Sequence, residues 1–240
     1  MKIPILMYHQ IDTMPPRGTP MRGLIVTPES FARQLLMLSI LGYRGLSMRD
    51  LEPYLRGEKI GKVVGITFDD GYQNNLIHAL PVLLQYGFTA TCYAVSQHLG
   101  GTNFWDHGKG IAQKPLMTRS EWMEWQSAGM EIGSHTRNHV PLTLLTPDAA
   151  WLEIALAKQD LEHLIGQEVR HFCYPYGYFS HTIRDMVKAA GYITATTVER
   201  ARATLEDDPF ALPRVLVSGH NTLAHLILKL QTSYEDKRGR

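Results

Sequence analysis

Two adjacent acids and a pair of histidines carry most of the chemistry this sequence can offer. Asp69 and Asp70 stand in Thr67-Phe68-Asp69-Asp70-Gly71, directly after an apolar run. Neighbouring carboxylates repel each other unless a cation neutralises one, which leaves the other ionised beside it and available as a base. An acidic turn capping the next helix accounts for an isolated Asp-Asp-Gly equally well. A second cluster weighs against that alternative: Ser134-His135-Thr136-Arg137-Asn138-His139 follows another short apolar run. Imidazoles at i and i+4 reach one face of a helical turn. With a carboxylate from a different strand they make three ligands and leave a position open for water, the donor set of a catalytic zinc site. A third segment, Phe172-Cys173-Tyr174-Pro175-Tyr176-Gly177, is a proline-glycine turn that can aim the Tyr176 amide at a developing oxyanion, although aromatic-proline turns also serve simple packing.

These residues meet only if the fold gathers the ends of several strands. Apolar runs at 3–8, 63–68, 88–95, 130–133, 172–174, 193–197 and 215–217 read as strands. Helical periodicity follows Thr27-Pro28-Glu29 as far as Gly42, spans 74–86, runs from Thr146-Pro147-Asp148 to about 165, and returns over 181–190 and 222–230. Alternating strands and helices predict a parallel sheet, and closing it into a barrel brings polar residues that follow strands to one mouth.

At 240 residues and 44% hydrophobic content the chain can bury the core of one α/β barrel, so a single domain over 1–240 is expected. A net charge of +1 argues against nucleic acid as a partner. The basic residues Lys237, Arg238 and Arg240 are too few for a stable electrostatic anchor and read as a solvated tail. No apolar run approaches the roughly 20 residues that span a bilayer. The run before His9 is shorter than a signal peptide's apolar region of roughly 7–15 residues, so a cytoplasmic location is expected, with peripheral contact at the inner membrane face left open. Cys92 and Cys173 form no Cys-x-x-Cys pair and are expected to be buried thiols.

The three motifs, in this order, resemble the polysaccharide deacetylases that share the NodB homology domain, carbohydrate esterase family four. The likeness extends from Ile5-Leu6-Met7-Tyr8-His9 to Leu212-Pro213-Arg214. It implies a distorted (β/α) barrel of about seven parallel strands with the site at the strand C-terminal mouth. It also implies that Asp69 is the general base and that Asp70, His135 and His139 hold a divalent metal. Zinc is the first choice by ligand type, and nickel, cobalt or iron suit the same set.

Many members place an arginine before the Pro-aromatic turn, where this chain has Cys173; Arg214 is the expected substitute, with a surface ion pair as its plainer reading. Tyr174-Pro175-Tyr176-Gly177 is similar to the branch acting on biofilm poly-N-acetylglucosamine, in which a Tyr-His like Tyr8-His9 supplies the general acid. His9 is therefore the first candidate for that role and His220 the second. Trp105, in an aromatic loop over 100–115, is expected to touch substrate together with Tyr174 and Pro175, although aromatics in such a loop equally well cover a core edge.

The implied activity is N-deacetylation of amino sugars in an envelope or exopolysaccharide glycan or its lipid-linked precursor. Hydrolysis of a non-sugar amide, such as a cyclic imide or formamide, is the alternative, and a non-catalytic glycan-binding relic a third reading. Oligomeric state is not legible.

Overall fold

The computed structural model of the chain describes residues 2–239, so Arg240 of the basic tail lies outside them. In chain order the elements are β1 (Ile5–Tyr8), α1 (Pro28–Ile40), β2 (Arg44–Leu46), α2 (Met48–Leu55), β3 (Val63–Phe68), α3 (Leu80–Gln85) and β4 (Thr91–Ala94). They continue with α4 (Arg119–Ser127), β5 (Glu131–Ser134), α5 (Pro147–Ile165), β6 (His171–Cys173), α6 (His181–Ala189), β7 (Thr194–Arg200), β8 (Leu212–Leu216) and α7 (Leu223–Gln231).

Seven parallel strands close in the order β1-β8-β7-β6-β5-β4-β3, with β3 returning to β1 through Ile5↔Gly65 to Tyr8↔Phe68. The expected barrel is present, with one addition. The first half of β3 pairs with β2 and the second half with β4, so β2 wedges into the bottom of the ring. Behind it α2 seals the bottom with Met48, Leu51 and Tyr54, which pack with Ile5, Val63 and Tyr93.

Alternation along the strands places the catalytic candidates. Tyr8 and Phe68 face outward into the layer beneath the helices, their rings stacked 5.5 Å apart and flanked by Phe31 and Trp125. Their neighbours His9 and Asp69 therefore turn toward the barrel mouth. Both strands are held in register by the same aromatic cluster, so core packing and site geometry are coupled.

Local chemistry explains the helix starts. Thr27 accepts from Ser30 N at 3.2 Å ahead of Pro28, and Thr118 with Glu121 forms a reciprocal capping box that opens α4. The helix predicted over 74–86 is different: it begins as a wide π-type turn, Asn75–Ala79, before α3. Pro81 has no N–H to offer the carbonyl of Ile77, so regular α bonding cannot run through this point. The turn carries a fully buried Asn75 whose amide donates to His9 O at 2.8 Å and accepts from Ile11 N at 3.2 Å. The backbone on either side of His9 and Gln10 is thereby pinned.

Truncating the shared aromatic core tests this coupling. Phe68→Ala is expected to cost about 3–5 kcal/mol, read as a lower urea midpoint at unchanged m-value.

Candidate active site

Asp69 lies at the C-terminal end of β3 and is almost wholly buried. Arg214 reaches it from β8 and grips both oxygens: Nη1 donates to Oδ1 and Nη2 to Oδ2, each at 2.7 Å. The plainer reading of Arg214 as a surface ion pair is set aside by its complete burial. Between Leu212 and Arg214 the ladder to β7 is irregular, at Pro213, which cannot donate. The guanidinium fills the gap: Nε donates to Thr197 O at 2.8 Å, Nη1 to Thr67 Oγ1 at 3.1 Å and Nη2 to Cys173 Sγ at 3.2 Å. Burial pushes the Asp69 carboxyl up, but the Arg214 charge and hydrogen bonds outweigh it and hold the group below the usual range.

Asp70 sits beside it in a left-handed conformation, φ 73°, followed by Gly71 at φ 75°. Two successive left-handed residues reverse the chain and turn the Asp70 carboxylate to the other side of the pocket floor. His135 Nε2 and His139 Nε2 converge on Asp70 Oδ1 at 3.4 and 3.2 Å. The histidines do not share a helical face as the spacing suggested. They sit on a tight turn in which Thr136 and His139 are left-handed and Thr136 Oγ1 accepts from His139 N at 3.0 Å.

Three donor atoms, one each from Asp70, His135 and His139, lie within 4.8 Å of one another. His135 Nδ1 is 2.7 Å from Cys173 O, and since a carbonyl only accepts, Nδ1 carries a proton, so the neutral ring would present the Nε2 lone pair to a cation. One carboxylate with two imidazoles, one tautomer fixed from behind, fits a divalent cation such as zinc. Asp69, His135 and Cys173 also cluster within that distance, but there the Arg214 guanidinium already stands.

Burial raises the Asp70 carboxyl, yet hydrogen bonds from His135 and His139 hold it well below its ordinary range. Burial opposes the imidazolium at both histidines. At His135 the bonds to Asp70 and Cys173 outweigh it and the pKa rises, while at His139 burial prevails and the pKa falls.

The surrounding pocket holds about 370 Å³ and takes in His9, Asp69, Asp70, Trp105 and Tyr176. His9 Nε2 stands 3.9 Å from Asp69 Oδ2, and its buried Nδ1 has no hydrogen-bond partner among the described residues. The Trp105 ring stacks on His139 at 4.5 Å, and Tyr176 meets the same imidazole edge-on at 4.7 Å. Tyr176 is left-handed, φ 60°, and burial pushes its phenol up to about 12. Tyr174 lines the pocket while its hydroxyl donates to Phe210 O at 2.9 Å.

Two candidates are not brought in. His220 is exposed and lines a separate recess, because β8 ends at Leu216 and Gly219 N bonds to Gly23 O, which turns the chain away from the acids. Pro175 is buried and shapes the turn rather than the pocket wall. Conversely, Tyr72 and Asp106 line the pocket, neither of them among the predicted site residues. Tyr72 stands next to Asp-Asp-Gly and Asp106 next to Trp105, so adjacency to a motif was the signal available.

A closed parallel barrel with paired acids and two imidazoles at its mouth defines a hydrolase. The sequence pattern of the polysaccharide deacetylases matches residues 56–195, and the chain belongs to that family. YxkH of Bacillus subtilis (strain 168), whose name places it among polysaccharide deacetylases, is 32% identical over 90% of this chain and 72% of its own. The poly-beta-1,6-N-acetyl-D-glucosamine N-deacetylase of Staphylococcus epidermidis is 25% identical over 89% of this chain and 74% of its own. The Streptococcus pyogenes deacetylase PplD, solved in complex with acetate, superposes with a TM-score of 0.84 at 27% identity, covering 96% of this chain and 99% of that one.

Protons compete with a cation for these imidazoles. Zinc affinity is expected to fall about tenfold per pH unit while one proton is being displaced, and Asp70→Asn to lose bound metal outright. Titration against a chromophoric chelator measures both; affinity that stays flat with pH would contradict the assignment.

Proposed function

We propose that the chain is a divalent-metal-dependent N-deacetylase of amino sugars in an envelope or exopolysaccharide glycan or its precursor. The observation that carries this reading is an ionised carboxylate, Asp69 in the fork of Arg214, on the same pocket floor as the Asp70-His135-His139 donor set. A cation held by those three residues would supply positive charge that polarises the scissile carbonyl and makes a nearby water more acidic.

The chain's own residues do the rest. Asp69 is ionised and held rigidly, so it accepts the proton of the attacking water without having to reorient. Water oxygen adds to the amide carbon, the C–N bond breaks, and acetate and a free amine result. The Tyr176 N–H, on the left-handed turn at the pocket wall, is the donor this reading assigns to the developing oxyanion. His9, just past the end of β1 beside β3, delivers a proton to the departing nitrogen. Trp105 and Tyr176 wall the pocket with aromatic faces suited to a pyranose ring. The N-deacetylase relative from Staphylococcus epidermidis supports the choice of an N-acetylglucosamine polymer as first substrate.

Acetate release from N-acetylglucosamine oligomers by zinc-loaded protein, lost on chelation, is the expected result. Metal-replete protein that releases no acetate but turns over small cyclic imides or formamides would replace this reading. Asp69→Asn should keep its metal and lose at least about 100-fold in kcat, and His9→Ala should lose turnover to a similar degree.

Arg214→Gln removes the charge that holds the Asp69 pKa down. The depressed folded pKa keeps the base ionised, and its stability contribution intact, until pH falls through that value. Without Arg214 the pKa rises, so the acid limb of the kcat/KM profile moves to higher pH. An acid limb that stays in place would separate Arg214 from the base.

A further inference from the structure

Beside the catalytic pocket lies an open recess of about 590 Å³, lined by Arg17, Thr19, Arg22 and His220 among others, with Met21 lining both cavities. Among the described residues no carboxylate lines it. Three features show that it is built rather than incidental. Met21 is left-handed, φ 57°, and turns the chain into the short helical turn Arg22–Leu24. Arg22 is half-buried, with Nε donating to Pro15 O at 2.9 Å and Nη1 3.4 Å from His220 Nδ1. The turn carrying His220 is tied in by Gly219 N donating to Gly23 O at 3.0 Å, and a Cβ at Gly219 would run into Ile25 O. Those contacts hold His220 and Arg22 together although neither belongs to the catalytic cluster.

We propose that this recess binds a phosphate or diphosphate group carried on the amino-sugar substrate, placing the acetylated sugar in the adjoining pocket. Guanidinium forks match phosphate oxygens geometrically, and two of them beside an imidazole, with no opposing carboxylate in the wall, favour an anion over a neutral sugar ring. The recess is large enough for a diphosphate. The role in turnover rests on the deacetylase reading, whereas anion binding does not.

N-acetylglucosamine 1-phosphate and unmodified N-acetylglucosamine serve as the probes. Titration calorimetry on metal-loaded Asp69→Asn protein is expected to show binding of the phosphorylated sugar that weakens with salt and drops about tenfold in Arg17→Gln. Arg17 is exposed, so that variant folds even if Arg22→Gln loosens its loop. Lys59→Gln, at the barrel bottom, should leave binding unchanged. With active protein the phosphorylated sugar should have at least tenfold lower KM than the neutral one, an advantage that Arg17→Gln erases and Lys59→Gln keeps.

Equal affinity for the two sugars, or phosphate-dependent affinity that survives both Arg17→Gln and Arg22→Gln, overturns the proposal. Phosphate-dependent binding without acetate release upholds the recess and fails the deacetylase reading instead. Tighter binding of the sugar on a polyprenyl diphosphate than of the free sugar phosphate assigns a lipid-linked source, and the reverse order a soluble one.

Discussion

At the centre of the barrel mouth Asp69 keeps only a sliver of exposure to the pocket and Arg214 none, and each is tolerable there only because of the other. An isolated buried carboxylate would take up a proton, and an isolated guanidinium would leave five donors unmet. Joined through two parallel hydrogen bonds, with the remaining donors on Thr197, Thr67 and Cys173, they form a polar unit that fixes the distance between β3 and β8 across β1. Breaking a buried pair of this kind typically costs about 3–5 kcal/mol, so the base and the fold share one support.

Backbone strain follows the chemistry closely. Five non-glycine residues among those described adopt positive φ: Met21, Asp70, Thr136, His139 and Tyr176. Four belong to the Asp-Asp-Gly, His-turn and Tyr-Pro-Tyr-Gly segments, and the fifth lines both the pocket and the basic recess. Such conformations cost on the order of 1–3 kcal/mol each and persist only where the surroundings enforce them. Here the enforcement is visible, in the Thr136 hydroxyl under His139 N and in the Trp122 ring packed 2.7 Å from where a Cβ on Gly71 would lie.

Much of this was legible in the sequence wherever the signal is local. The strand Val63–Phe68 matches its apolar run residue for residue, and Thr27-Pro28 and Thr146-Pro147 mark real helix starts. β2 has only three residues, and α2 has eight with Pro53 inside, so neither carries enough periodicity to be seen. α4 has no counterpart among the predicted helices, although its capping box, Thr118 to Glu121, stands in the sequence. The site divides in the same way. Position after strands, with the family resemblance, links Asp69, Asp70, His135 and His139, while only the resemblance points to Arg214, whose grip depends on an irregular ladder between distant strands that no local pattern encodes. His220 lay near a strand end in sequence, yet a single backbone bond to Gly23 carries it elsewhere.

The closing of the ring by β1, between β3 and β8, also sets an order in time. Asp69 and Arg214 are 145 residues apart, and at ribosomal rates of about 5–20 residues per second their synthesis is separated by roughly 7–30 s. Over that interval one edge of β1 has no partner strand and the Asp69 carboxylate has no counter-ion. The nascent barrel is therefore an open sheet with an exposed edge, and the catalytic base acquires its support only when the ring closes.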